Sequence, residues 1–145
     1  MANDPDLTFP GVNIQCPWSE LLVSGKKLIE TRSYPLPEKY KDKYLALIET
    51  PGQSGDFSAR IIALIKFDYS FQYRNYQHWL SDQKLHLVSK DDKLFKYSEN
   101  KAKWGWRVSG VKQLSHPASP PRKKGIRFTT LCRVPKNLIT TSFAR

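Results

Sequence analysis

The sequence predicts a small α+β domain, a mostly β barrel of five or six strands with two or more short helices. Three observations carry that prediction. Short alternating or β-branched runs recur along the 145 residues. The two amphipathic stripes are each only about two turns long. Ten prolines and seven glycines punctuate the chain, and no internal repeat is present.

The elements follow in order. Residues 9–15 alternate Val12 and Ile14 with Asn13 and Gln15, the pattern of a first strand. Pro17 suits the first turn of a helix, on which Trp18, Leu21 and Leu22 form one apolar stripe. Gly25 stands where a left-handed C-terminal cap is expected. Residues 28–34 read as a strand with Leu28, Glu30, Arg32 and Tyr34 on one face, ended by Pro35 and Pro37. Two β-rich runs come next, 44–50 and 60–69, joined by a loop at 51–55. Tyr76, Trp79 and Leu80 mark a second short helix, and residues 81–101 are polar and loop-rich. Strand signal returns at 103–111, where Trp104, Trp106 and Val108 share a face. The prolines from Pro117 to Pro121 exclude a helix or a central strand, and residues 126–134 make the last strand. The chain thus divides into an N-terminal tail (1–9), one domain (10–134) and a C-terminal tail (135–145).

Composition bounds the function. Apolar residues make up 39% and aromatics 12%, which suits a folded core. No apolar run approaches the ~18 residues of a membrane span. Residues 1–10 have no apolar stretch of the signal-peptide kind, so a cytoplasmic location is expected. Cys16 and Cys132 are then expected as reduced thiols, and His78, His86 and His116 are too scattered for a zinc site. Neither a metal nor a cofactor is expected.

The net charge of +11 is unevenly placed. Residues 1–100 hold 13 basic and 13 acidic side chains, whereas 101–145 hold eleven Lys and Arg with no acid. Such a field attracts polyanions and sets the sign of the partner. A solubilising basic tail is the alternative. Within this third, Arg122, Lys123, Lys124 and Arg127 form the best candidate for tracking phosphates. Trp104 and Trp106 offer either a stacking platform for bases or core packing. Trp18 and Trp79 read as core.

The densest chemistry lies in Gly25-Lys26-Lys27-Leu28-Ile29-Glu30-Thr31-Arg32. Period-two geometry puts Glu30 and Arg32 on one face, where a buried charge needs a partner. They neutralise one another at a barrel mouth or read a ligand there, Arg suiting phosphate and Glu an exocyclic amine. Lys27 has the opposite parity but sits at the turn into the strand, from which it can swing over the same cleft. It is a candidate phosphate or carbonyl contact, a general base if burial lowers its pKa, or a plain surface lysine.

The run from Ile14-Gln15-Cys16-Pro17-Trp18 to Arg32-Ser33-Tyr34 resembles the ASCH signature, a Gln-Pro-Trp-like helix start followed by Gly-x-Lys-x-x-Glu-x-Arg. Trp104 to Val108 and Arg122 to Phe128 resemble that family's later strand and its basic turn before the closing strand. The resemblance covers about residues 10–134. It implies a PUA-like barrel whose cleft is bordered by the motif and binds RNA or a nucleotide, with Lys27, Glu30, Arg32 and Tyr34 as ligand contacts. Some bacterial relatives deacetylate acetylcytidine and at least one is a ribonuclease. The resemblance therefore makes Lys27, with Glu30, the catalytic candidates of an amidohydrolase or ribonuclease. The deacetylating enzymes carry threonine where this chain has Glu30, and a second glutamate in a later helical segment, near which Asp82 and His78 fall here. A protein-interaction module whose basic face meets an acidic partner is a third reading.

Overall fold

The computed structural model describes residues 6–52, 55–122 and 125–139. Their elements run β1 (Asp6–Gln15), α1 (Trp18–Val23), β2 (Ile29–Arg32), β3 (Tyr44–Thr50), β4 (Arg60–Gln72), α2 (Tyr76–Ser81), α3 (Gln83–His86), β5 (Trp104–Ala118) and β6 (Phe128–Pro135). The strands form a six-stranded mixed sheet in the order β2-β5-β4-β3-β1-β6. β1 and β3 run parallel, and the other neighbours pair antiparallel.

This is the predicted small α+β class, with one correction: the sheet does not close into a barrel. β2 and β6 remain its two edges. Side chains bridge the seam instead of a hydrogen-bond ladder. Trp106 of β5 stacks on Phe128 of β6, with centroids 6.0 Å apart. Arg32 of β2 donates through Nη2 to the Asn13 carbonyl of β1 at 2.6 Å. The long β4 is bent for this by three register shifts against β5, the usual effect of bulges.

Alternation on β3 explains the core. Leu45 and Leu47 face one side with Val12, Ile14, Ile65, Phe67 and Trp106, which Leu22 of α1 helps to cover. Ala46 and Ile48 face the other side with Leu64, Leu114, Cys132 and Val134. A sheet covered on both faces reads as continuous hydrophobic runs, as Leu45 to Ile48 do. Tyr73, Trp79 and Val88 form a smaller cluster under α2.

Several boundaries differ from expectation. β1 begins at Asp6, because Leu7 and Phe9 pair with Val134 and Cys132, so residues 6–9 belong to the sheet. Pro10 falls at the register shift between Phe9 and Gly11, where a missing donor costs least. Gly11 follows because a Cβ there would lie 2.7 Å from the Cys132 Sγ. Beyond β6, Lys136–Leu138 forms a 3-10 turn and Ile139 bridges to Leu114. β5 runs on to Ala118, past the expected end at 111, and so takes in Pro117, where a central strand was excluded. β2 stops pairing with it at Arg107, so its later half is laddered to β4 alone, apart from the Leu114 bridge. Among the described residues, neither Cys16 nor Cys132 is in a disulfide.

Candidate ligand-binding cleft

The motif turn is fixed at both ends by backbone. α1 ends at Val23, and Gly25 turns the chain away from it with a φ of +84°, a conformation that favours a residue without a Cβ. The Lys27 amide then donates to the Leu21 carbonyl at 2.9 Å, tying the turn to the helix it leaves. The Leu28 amide donates to the Leu85 carbonyl of α3, and the Leu28 carbonyl accepts from Val108 of β5. Leu28 is 45% exposed and precedes β2, so it does not share the buried face of Glu30 as expected. The regular two-residue period begins only where ladder pairing begins.

Lys27 is buried to 1% exposure and its ammonium donates to the His86 carbonyl at the end of α3. That carbonyl is available because Leu87 turns left-handed (φ 62°) and ends the helix there. The His86 ring is equally fixed: it stacks on Trp79 with centroids 4.8 Å apart. Its Nδ1 accepts from the Val88 amide at 3.0 Å and its Nε2 faces the Trp79 carbonyl at 2.8 Å. Nε2 therefore carries the proton, and burial, aided by the nearby Lys27 charge, keeps the ring neutral by lowering its pKa.

Glu30 joins the two cations. Its Oε2 accepts from Arg32 Nε at 2.9 Å, and its Oε1 lies 3.9 Å from the Lys27 ammonium. Arg32 Nη1 donates to the Tyr34 hydroxyl at 2.8 Å and Nη2 to the Asn13 carbonyl, so every nitrogen of the guanidinium is engaged. Burial works against the Arg32 charge, but Glu30 and Tyr34 outweigh it and hold its pKa above the ordinary value. For Lys27 burial wins: desolvation lowers its pKa from 10.5 to about 8, with Glu30 offsetting part of the loss. Lys27 is mostly protonated at neutral pH and releases its proton about one unit above it.

These groups floor a cleft of about 540 Å³ at the open seam of the sheet. Asn13 and Gln15 of β1 line one side, and Trp18 and Phe95 supply apolar walls. Trp18 and Phe95 meet edge-on at 5.9 Å, and the Lys27 ammonium sits 4.9 Å from the Trp18 ring centre. Asn13 Nδ2 donates to the carbonyls of Gly125 and Ile126 at 2.7 and 2.8 Å, fixing the rim before β6. Among the described residues lining the cleft, Glu30 supplies the carboxylate.

The predicted site residues separate into groups. Lys27, Glu30 and Arg32 meet in the cleft, with Tyr34 behind Arg32. Arg32 positions Glu30 rather than reaching into space, because its nitrogens are taken. Arg127 lies over the Tyr34 ring with its guanidinium carbon 3.9 Å from the centre, and Arg122 is exposed. Lys123 and Lys124 lie outside the described residues. Trp106 is fully buried, donates to the Tyr34 carbonyl at 3.1 Å and packs the core, so it offers no stacking face. Trp104 is half-buried against the same core. Asp82 accepts from the Tyr73 hydroxyl at 2.8 Å, and His78 accepts from the Arg74 amide at 3.1 Å. Neither lines the cleft.

Sequence reading missed four participants. Trp18 was assigned to the core but is half-buried and walls the cleft. Phe95 lies in a polar loop beside Leu94 and Tyr97, and nothing in that stretch singles it out as a cleft wall. Asn13 sits opposite the apolar residues of β1, and that parity alone says nothing of a ligand. His86 acts through its carbonyl, which no side-chain pattern reveals.

An open, mixed six-stranded sheet with short helices makes a small α+β fold with a charged cleft at its seam. The chain has the fold of ASCH proteins. The crystal structure of ASCH from Zymomonas mobilis matches with a TM-score of 0.65 at 13% identity, covering 83% of this chain and 85% of that one. Two structures of point variants of the Zymomonas mobilis protein match with TM-scores of 0.60 and 0.56 at 14% and 15% identity. They cover 88% and 92% of this chain and 91% and 92% of those chains. No protein-family model and no curated protein matches the chain. Among the described residues, no helix is long and apolar enough to cross a membrane.

Proposed function

We propose that the chain is an ASCH-domain protein that binds an RNA nucleotide, with the base held in the motif cleft. The Lys27–Glu30 pair on the floor of an aromatic-walled cleft carries this reading. A base needs an apolar wall for its face and matched polar groups for its edge. Trp18 and Phe95 offer the wall. Glu30 Oε1 accepts from an amine or ring N–H, and the Lys27 ammonium donates to a ring carbonyl beside it. The volume lies within the range usual for small-ligand pockets, roughly 300–1,000 Å³. The test is a calorimetric titration with the four ribonucleoside monophosphates. At least one is expected to bind, and Lys27→Met and Glu30→Gln should each weaken it by about tenfold or more. Absence of binding to all four, or binding by both variants as tight as by the wild type, overturns the reading.

One observation favours a second reading, hydrolysis of an acylated nucleoside. An amine with a pKa near 8 beside a carboxylate is suited to act as a general base. Neutral Lys27 would take a proton from water as the oxygen adds to the acyl carbon. It would return that proton to the departing amine, leaving a carboxylic acid and the free nucleoside. Deacetylation of acetylcytidine should then rise with pH through about 8 and vanish in Lys27→Ala. Equal rates in both proteins reject it, and a parallel assay on RNA tests a nuclease.

A further inference from the structure

A second hollow adjoins the cleft. It has a volume of about 530 Å³ and shares Thr31, Arg32 and Phe95 with the cleft, so the two meet along one wall. Five cations line it: Arg32, Lys93, Lys96, Lys101 and Lys103. No Asp or Glu is among its lining residues. The loop supplying the lysines also contains Asp91, Asp92 and Glu99. Asp92 is turned onto its own backbone, its Oδ1 accepting from the amides of Leu94 and Phe95 at 3.0 and 2.8 Å. That turn sets Phe95 at the junction. Lys103 secures it from the other side by donating to the Phe95 carbonyl at 2.7 Å. Lys93, Lys96 and Lys101 are exposed, and among the described residues no carboxylate lies within ion-pair distance of them.

An acid-free groove with three unpaired ammonium groups costs the fold in self-repulsion and offers a polyanion a place to release counterions. Phosphate contacts need charge more than exact placement, which suits long lysines on a loop. We propose that this groove receives the phosphates flanking the bound nucleotide, so that the partner is a single-stranded RNA rather than a free nucleoside or nucleotide. The base lies against the wall that Trp18 and Phe95 form together, and the strand passes Phe95 into the lysine groove. This rests on the base-in-cleft reading and adds a backbone subsite supplied mainly by residues 93–103. The basic turn at 122–127 is not its main source.

The test compares the four ribonucleoside monophosphates with single-stranded RNA of about seven nucleotides, over a range of salt concentrations. The proteins are the wild type, a Lys93→Gln/Lys96→Gln/Lys101→Gln variant, and Lys27→Met. A Lys39→Gln/Lys41→Gln/Lys43→Gln variant controls for the same loss of net charge outside the groove. RNA should bind the wild type at least about tenfold tighter than any monophosphate. The groove variant should lose most of that advantage and flatten the slope of log K against log salt by roughly two, at about 0.7 per phosphate contact. Its affinity for monophosphates, which carry a single phosphate, should fall far less than its affinity for RNA, and the control should change little. RNA no tighter than a monophosphate, or an equal loss in the control, overturns the proposal. So does a polyglutamate peptide that displaces RNA at equal charge concentration, which would identify a protein partner. RNA binding that needs the three lysines but ignores Lys27→Met supports the groove and sinks the cleft reading. Monophosphate binding that needs Lys27, without any gain from a longer strand, does the reverse.

Discussion

Glu30 and Glu49 are both buried strand carboxylates facing an arginine, and they differ in whether both oxygens are satisfied. Glu49 on β3 accepts from the Ser19 hydroxyl at 2.6 Å through Oε2 and from Arg60 Nε at 3.0 Å through Oε1. Its side chain is 1% exposed, and it fastens α1 to the sheet. Glu30 on β2 is satisfied by Arg32 at one oxygen only, while the other lies 3.9 Å from Lys27, beyond hydrogen-bond length. Both carboxylates are charged, buried and paired, so burial and pairing do not distinguish structure from function. What distinguishes them is the open oxygen: the Glu30 side chain keeps 8% of its surface exposed where it lines the cleft, so Oε1 can accept from a ligand, whereas both Glu49 oxygens are taken.

The sharpest way to break the comparison is Glu49→Ala. It strips the buried Ser19 hydroxyl and the Arg60 guanidinium of their shared acceptor. Stranding a buried hydroxyl and removing a buried side chain, beside a guanidinium that is 39% exposed, should cost roughly 3 kcal/mol in urea-induced unfolding. Ligand affinity of the folded protein should not change. A loss of affinity with intact stability would mean that Glu49, not Glu30, serves the ligand.

The next effect belongs to Lys27. In the fold its amine titrates at about 8 rather than 10.5, so between those values the unfolded chain holds more protons. Stability should therefore rise with pH across that window, by roughly 3 kcal/mol in total. Below about 8 both states are protonated and the penalty is fully present. Unfolding of the wild type and of Lys27→Met from pH 7 to 11 isolates the term as the difference between two curves. Parallel curves would place the ammonium in water.

Glu30→Gln comes third. It keeps the shape and the contact with Arg32 but removes the charge, which should cost about 1–2 kcal/mol of stability. Since Glu30 holds the Lys27 pKa up, the variant should lower it further, read as a shift of the pH-dependent stability gain to lower pH. An unmoved window would show that the 3.9 Å pair carries no coupling.

The contrast between the two carboxylates was only half legible in the sequence. Glu30 could be found because Lys27, Glu30 and Arg32 crowd one turn and strand, a local pattern with few innocent explanations. Glu49 closes a run of otherwise apolar residues, and its partners come from α1 and β4, so nothing near it announces a network. The same division holds for the fold. β3 was readable to the residue because its whole length is laddered and buried. The ends of β1 and β5 were not, because they depend on distant partners such as Val134 and Ile139. The open seam was invisible for that reason too: closure depends on whether β2 and β6 meet, and no local preference of either strand decides it.

Tyr34→Phe is the smallest and finest test. Ser19 touches its carboxylate directly, whereas Tyr34 reaches Glu30 only through Arg32. Removing the Tyr34 hydroxyl takes one acceptor from Nη1 and leaves the ring in its edge-on contact with Trp106 and under Arg127. The fold should lose about 1 kcal/mol, the net worth of one hydrogen bond to a charged group that keeps its other partners. Ligand affinity should fall only about twofold to threefold, since Asn13 and Glu30 still hold the guanidinium. Ser19→Ala, by contrast, should cost more stability and no affinity. If Tyr34→Phe weakens binding as much as Glu30→Gln, the hydroxyl touches the ligand itself, and Tyr34 belongs in the cleft rather than behind it.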